Sequence, residues 1–269
     1  YDLKISQEGK EIAGTSRMNA KQRADWDKAY KPINDAYHQA NLQGEALNRW
    51  KYQRYLQDYL ACIQSMDDNI GRLLDYLKKS GLDKNTIVVY SSDQGFYLGE
   101  HGLFDKRWMY EESMRMPLVM RWPGVIKPGS RVEQLTQNID FAPTLLAAAG
   151  VEVPEQMQGK NMLPLIGNPQ ATIHDCLYYH YYDNKEHCVA KHYGIRTRTH
   201  KLVRFYETDE WELYDLVADP EEMHNLANDP AQADLRRRLE MRLNVLKKEV
   251  GNPITTVEEE QAFLAKKPN

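Results

Sequence analysis

The sequence predicts an α/β fold: the later part of a doubly wound sheet over residues 1–170, then a small antiparallel α+β subdomain over 171–269. Three observations predict it. A long amphipathic helical stretch leads through a glycine turn into a β-branched strand, the alternation expected of an α/β layer. A second strand follows, with a helix whose start and stop are both marked. Beyond Gly167-Asn168-Pro169, four short strand-like runs precede one last helix, the pattern of a separate antiparallel sheet.

Residues 1–50 are polar and interrupted, with Pro32 and Gly44 as breakers, and read as an irregular helical surface region. Between 50 and 80, Leu56, Leu60, Ile63, Met66, Ile70, Leu73, Leu74 and Leu77 recur at steps of three and four, so one helix face is apolar. Lys78 and Lys79 suit its C-terminal dipole, and Gly81 supplies a left-handed cap. Asp67-Asp68, with Arg72 one turn on, reads as a solvated or ion-paired face. Residues 86–90 are β-branched and apolar enough for a central strand, and 117–122 form a second, ended by Pro123-Gly124. Asp140 caps a helix through Leu145, Leu146 and Ala149 that Gly150 closes, with Pro143 tolerated in the first turn. The later strands are expected at 177–182, 193–198, 201–206 and 212–216, with Thr199-His200 turning one hairpin. Leu235, Leu239, Leu243 and Leu246 then line a helix over 231–250.

Composition narrows the function classes. At 269 residues the chain can bury a full core, as one domain or two. A net charge of −4 and a pI near 6.1 give no general electrostatic reason to bind nucleic acid or an anionic membrane. No apolar run approaches the roughly 18 residues a membrane span needs. The start at Tyr1-Asp2-Leu3-Lys4, with neither an initiator Met nor an apolar leader, reads as a processed or truncated product, so the compartment is not legible there. Cys62, Cys176 and Cys188 lack C-x-x-C spacing. Cys62 falls on the apolar stripe and is expected to be a buried thiol. Cys176 and Cys188 flank a Tyr/His-rich segment and pair only if the protein is exported and the geometry allows it.

Chemistry concentrates at residues 91–106, directly after the first strand, where an open α/β sheet places its functional groups. Asp93 and Gln94 offer a carboxylate and an amide oxygen side by side, hard ligands suited to Ca²⁺ or Mg²⁺. Two ligands cannot hold such an ion alone. Gly95, Gly99 and Gly102 permit a tight loop that returns Lys106 towards the metal. A lysine beside a divalent cation makes sense when an anion sits between them, since two unpartnered cations repel. His101 can hydrogen-bond that anion or its leaving group. Singly, these residues also fit ordinary turns and loop packing; together they describe an oxyanion site.

In the last third, Tyr178-Tyr179-His180-Tyr181-Tyr182, His187 and His192 group aromatic and polar side chains. Aromatic faces with hydrogen-bonding groups suit sugars, which makes His180 a candidate substrate contact. The competing reading packs these residues on the helix at 231–250. The irregular spacing of the three histidines does not suit zinc.

In chain order, Met66-Asp-Asp-Asn-Ile-Gly-Arg72, Asn85-Thr-Ile-Val-Val-Tyr-Ser-Ser-Asp93-Gln-Gly95, Leu98-Gly-Glu-His-Gly102, Lys106, Tyr110-Glu111, Pro117-Leu-Val and Trp122-Pro-Gly124 resemble the second half of a type I sulfatase. Asp140-Phe-Ala-Pro-Thr-Leu-Leu146, Gly159, Tyr193-Gly-Ile-Arg196, Lys201-Leu202 and Glu212-Leu-Tyr-Asp-Leu216, with Asp219-Pro220, continue the resemblance over residues 50–230. Asp105-Lys106-Arg107 with Tyr110-Glu111 is similar to the glucosamine-6-sulfatase and glycosaminoglycan branch. The resemblance implies an alkaline-phosphatase-like fold, a bound Ca²⁺ with Mg²⁺ as the alternative, a sulfated sugar as substrate, and an extracytoplasmic location. It makes Asp93 and Gln94 metal ligands and Lys106 the sulfate contact, and it sets His101 near the site.

The family's formylglycine nucleophile opens a Cys/Ser-x-Pro/Ala-x-Arg motif, and none of the cysteines or serines here begins one. The family's N-terminal Asp pair is absent as well. The expectation is therefore a C-terminal portion that associates with a missing N-terminal segment and has no turnover alone. The competing functions are a phosphodiesterase or phosphonate hydrolase of the same fold, and a non-catalytic binding domain.

Overall fold

The computed structural model describes residues 14–182, 187–252, 254 and 256–265, which form two compact units meeting in sequence at Asn85 and Thr86. In the first unit, α1 (Ala20–Ala40) starts from a reciprocal cap. Asn19 Oδ1 accepts from the Gln22 amide at 2.9 Å, and Gln22 Oε1 accepts from the Asn19 amide at 3.0 Å. Pro32 does not break this helix, contrary to expectation. The cap and the i,i+4 ion pairs Lys21–Asp25, Arg23–Asp27 and Lys31–Asp35 favour continuation on both sides of it. Gly44 opens α2 (Gly44–Lys79) instead of interrupting a helix, and Gly81, at φ +73°, takes the left-handed conformation expected beyond its end.

The apolar stripe of α2 forms as its spacing demands, yet Leu60, Met66 and Leu73 are more than half exposed. Cys62 is exposed too, which corrects the expectation of a buried thiol. Periodicity shows that a face is built to be covered; within this unit, among the described residues, Leu56, Ile70 and Leu77 are half-buried and the rest of the stripe is exposed. Arg72 reaches Asn69 at 2.8 Å and Asp68 accepts from Gln64 at 2.9 Å, so the acidic pair lies on a solvated face.

In the second unit, β1 (Val88–Ser91) pairs antiparallel with β2 (Leu118–Arg121), Val88 opposite Arg121 and Ser91 opposite Leu118. Among the described residues β2 is the one partner of β1, and Val89, Tyr90 and Val119 are exposed, so the second neighbour expected of a central strand is not found within this chain. The one-turn helix α3 (Glu111–Met114) lies between them in sequence. Downstream, α4 (Phe141–Ala148) and α5 (Leu163–Gly167) follow a short 3-10 turn at Asn138–Asp140. Asp140 stands at the head of α4, but its buried carboxylate caps elsewhere. It accepts from the Gln137 and Lys160 amides at 2.8 and 2.7 Å and lies 3.0 Å from His174 Nε2.

The C-terminal part is the expected antiparallel sheet, in the order β3 (Cys176–Tyr181), β4 (His192–Thr197), β5 (His200–Phe205) and β6 (Glu210–Asp215). Alternation divides its two faces. Ile195, Leu202 and Leu213 are buried on one face against Leu239, Leu243 and Leu246 of α6 (Ala233–Glu249). The other face carries Val203 and Phe205, on which Met109 and Trp108 of the upstream loop pack. Gly194 makes that approach feasible, because a Cβ there would lie 2.6 Å from Met109 Sδ. A last helix, α7, spans Val257–Ala265.

Cys176 is buried, Cys188 is exposed, and both are free thiols. Each Tyr or His of the 178–182 run takes the face its parity dictates, which decides what it touches.

Candidate active site

The segment after β1 folds back on itself through backbone bonds. The Tyr97 amide donates to Asp105 O at 2.7 Å, and the Gly99 amide to Leu103 O at 2.9 Å. His101 adopts φ +53° at the tip, between Gly99 and Gly102, both at positive φ. Lys106 is thereby carried back alongside the residues that follow β1.

Ser113 joins the two arms. Its hydroxyl donates to the Lys106 carbonyl, and its carbonyl accepts the Gly95 amide at 2.6 Å. Gly95 is required here, since a Cβ would lie 1.8 Å from Glu112 O. Across the loop, the Asn138 side-chain amide donates to Asp93 O at 2.8 Å. Sequence spacing gave no role to Ser113 or Asn138, because each acts across a gap in sequence that no local pattern spans.

The candidate ligands are free to act. The Asp93 carboxylate is exposed, with one long contact from Ser92 Oγ at 3.4 Å, and Gln94 is half-buried beside it. Among the described residues no group of three or more His, Cys, Asp and Glu side chains could hold a metal ion, so Asp93 and Gln94 suit Ca²⁺ in kind and fall short in number. The Lys106 ammonium has no hydrogen-bond or ion-pair partner among the described residues, whereas neighbouring Arg107 is paired to Asp105. A cation left unpaired is available to an anion.

His101 faces inward. Its ring stacks on Tyr110 at 4.2 Å and 16°, and its Nε2 lies 3.5 Å from Glu112 Oε2. Tyr110 in turn donates to Glu212 Oε2 at 3.1 Å, and burial followed by the Glu212 charge pushes its phenol upward, keeping it a donor. The Tyr97 hydroxyl donates to Trp108 O at 2.7 Å, and the Tyr179 hydroxyl to Arg107 O at 2.7 Å.

Below the loop lies a buried charge cluster. Glu111 accepts from Arg196 at 2.9 Å and sits 3.0 Å from Lys201 Nζ, while Lys201 reaches Glu222 at 2.6 Å. Glu222 also accepts the Glu111 amide at 2.7 Å. Burial raises the Glu111 carboxyl, but Arg196 and Lys201 outweigh it and hold it at about 2. Arg196 and Lys201 are directly opposite in the β4–β5 register, and two cations so placed repel unless a carboxylate lies between them.

His180 is on the other face. Its Nδ1 lies 2.8 Å from Asn252 Nδ2 and 2.9 Å from the Tyr178 hydroxyl, its ring stacks on Tyr182 at 3.9 Å, and burial, with Lys247 adding to it, lowers its pKa to about 3. Tyr179, Tyr181 and His192 face the Lys106 loop, and His192 stacks on Trp108 at 5.6 Å. The structure therefore brings Asp93, Gln94, Lys106 and His101 into one loop system and leaves His180 on the α6 side.

Comparisons with known proteins bear on this geometry. Residues 13–151 match the family model described as Sulfatase, and 99–249 match N-sulphoglucosamine sulphohydrolase, C-terminal. The chain belongs to the sulfatase family. It is 50% identical over 228 residues to an N-acetylglucosamine-6-O-sulfatase of Bacteroides thetaiotaomicron, covering 83% of this chain and 41% of that protein. It is 31% identical to the multifunctional alkaline phosphatase superfamily protein PehA of Trinickia caryophylli, over 75% of this chain and 42% of the relative. Among solved structures, a protein in complex with its substrate D-glucosamine-2-N,6-O-disulfate aligns with a TM-score of 0.85 at 45% identity, over 94% of this chain and 54% of that one. The phosphonate monoester hydrolase of Agrobacterium radiobacter aligns at 0.65 and 26% identity, over 74% of this chain and 44% of that one. This sulfatase chain spans less than half the length of the curated relatives it matches. The alkaline-phosphatase-like α/β class expected from the sequence holds.

Proposed function

We propose that this chain supplies the sulfate-holding part of a carbohydrate sulfatase site, acting on a 6-O-sulfated glucosamine of glycosaminoglycan type. The observation that carries the reading is the unpaired Lys106 ammonium on an arm tied, through Ser113, to the residues next to Asp93 and Gln94. The relative of 50% identity, named an N-acetylglucosamine-6-O-sulfatase, supports the substrate class.

Lys106 would bind a sulfate oxygen and oppose the negative charge that grows on it as the ester bond breaks. His101, half-buried against Tyr110 and Glu112, would hold or pass a proton at its Nε2. Asp93 and Gln94 would hold part of the shell of a Ca²⁺, which supplies Lewis-acid polarisation of the sulfate, and a formylglycine from outside these 269 residues supplies the nucleophile. Other oxygens must complete that shell. An extracytoplasmic place of action belongs to the same reading. No helix of the described residues is long and apolar enough to cross a membrane.

The test is sulfate release from glucosamine 6-sulfate by the full-length enzyme carrying this chain. Lys106→Ala and Asp93→Ala should each lower kcat/KM by at least about 100-fold, the scale seen when one charge-stabilising donor is removed. Undiminished turnover in both variants overturns the reading in favour of a non-catalytic binding domain. Turnover of a phosphonate monoester in preference to the sulfate ester would favour the hydrolase alternative.

A further inference from the structure

We propose that Ser113 is a positioning residue for Lys106, fixing where the ammonium stands relative to the Asp93/Gln94 pair; this rests on Lys106 being the sulfate contact. Ser113 is 5% exposed, and all its polar groups are committed. Its amide donates to Tyr110 O at 3.0 Å within the first turn of α3, its carbonyl accepts the Gly95 amide, and its hydroxyl donates to the Lys106 carbonyl. A serine inside a helical turn ordinarily turns its hydroxyl onto a carbonyl three or four residues back. Here the hydroxyl spans seven residues to the backbone of the one lysine in the loop whose ammonium is unpaired.

The frame from which Ser113 acts is itself fixed. Glu111, two residues earlier, is clamped by Arg196 and Lys201, and its amide by Glu222, so α3 is anchored on β4 and β5. Gly95, two residues after Asp93, is pressed against the same turn with no room for a Cβ. One residue thus ties the ligand arm and the lysine arm to a charge-clamped base. Without the hydroxyl, the ligand arm keeps its bond to the Ser113 carbonyl, while the lysine arm keeps the bonds of Tyr97 to Asp105 O and of Tyr179 to Arg107 O but loses its direct tie to that turn, so the position of Lys106 relative to the ligand arm is less tightly set. A displacement of about 1 Å between a substrate and a stabilising group costs up to about 100-fold in rate.

The decisive measurement is a double-mutant cycle in the full-length enzyme on glucosamine 6-sulfate, with melting temperatures as the folding control. Ser113→Ala should lower kcat 10- to 100-fold with KM changed less than threefold. In the Lys106→Ala background the same substitution should change the residual rate less than twofold, because a positioning residue has nothing left to position. A Ser113→Ala loss that is equal in both backgrounds overturns the proposal and assigns Ser113 a general structural role. A wild-type rate for Ser113→Ala alongside a dead Lys106→Ala also overturns it, while leaving the sulfatase reading intact. A fully active Lys106→Ala overturns both. If the alanine variant fails to fold, Ser113→Cys, which keeps the volume and only a weak donor, carries the same cycle to the same outcomes.

Discussion

Gly95 donates its amide to the Ser113 carbonyl at 2.6 Å, at a point where a Cβ on residue 95 would stand 1.8 Å from Glu112 O. The obstacle is backbone, so no rotamer relieves it. Gly95→Ala must therefore either push α3 away or withdraw the chain after β1, and either shift separates Asp93 from Lys106. Activity should fall at least about 100-fold, with less protection of the residue-95 amide from hydrogen exchange. Wild-type exchange at that amide in an alanine variant would show that the close approach is not real.

Lys201 is completely buried between Glu111 and Glu222. Removing one partner from such a cluster leaves an uncompensated buried charge, which costs about 3–5 kcal/mol. Lys201→Met is expected near the lower end, because Arg196 still neutralises Glu111. Adding Glu222→Gln removes the stranded carboxylate and should restore at least about 1 kcal/mol. Denaturant unfolding of the wild type, single and double variants measures both steps, and a double variant less stable than Lys201→Met would contradict this assignment of the charges.

Much of this arrangement was legible in the sequence, and the parts that were not share a cause. The strands β3 to β6 fall within two residues of expectation because β-branched and aromatic runs with turn residues between them are local signals. The glycine loop returning Lys106 was readable for the same reason. The bridge from Ser113 to Gly95 and the bond from Asn138 to Asp93 join positions 18 and 45 residues apart, where pattern is silent. One further signal was present: a hairpin from Arg196 to Lys201 sets two cations opposite each other and so demands a carboxylate, though not which one. The exposure of β1 and of the α2 stripe has a different origin. Apolar patterning reports that a surface is meant to be covered, and says nothing about what covers it.

His180 tests how far composition alone can be trusted. Aromatic and histidine content suggested a sugar contact, but parity puts His180 on the α6 face, bonded to Tyr178 and Asn252. His180→Gln is therefore expected to lower the melting temperature by a few degrees and to leave KM for the sulfated sugar within twofold of wild type. A tenfold rise in KM with unchanged stability would return His180 to the substrate.

His180 and His192 also contribute to the acid response of the fold. Burial lowers His192 to about 4 and, together with Lys247, His180 to about 3. In the unfolded chain both titrate near 6.5. As pH falls below that value the unfolded state takes up protons that the folded state refuses, so stability declines with falling pH. Their contribution is complete above about pH 6.5 and is lost progressively towards the folded values. Glu111 acts in a separate window: held at about 2 by Arg196 and Lys201 against its burial, it contributes fully above its ordinary 4.5 and loses that contribution as pH falls through 2. Between pH 6.5 and 4.5 the histidines are opposed by Glu212 and Glu222, whose carboxyls burial raises above their ordinary 4.5, so that protonating them favours the fold as pH falls. His192→Phe should lower the slope of the urea-unfolding free energy against pH across this interval relative to the wild type, because one histidine contribution is gone while those of Glu212 and Glu222 remain. An unchanged slope in the variant would mean that the His192 ring is not held neutral in the folded protein.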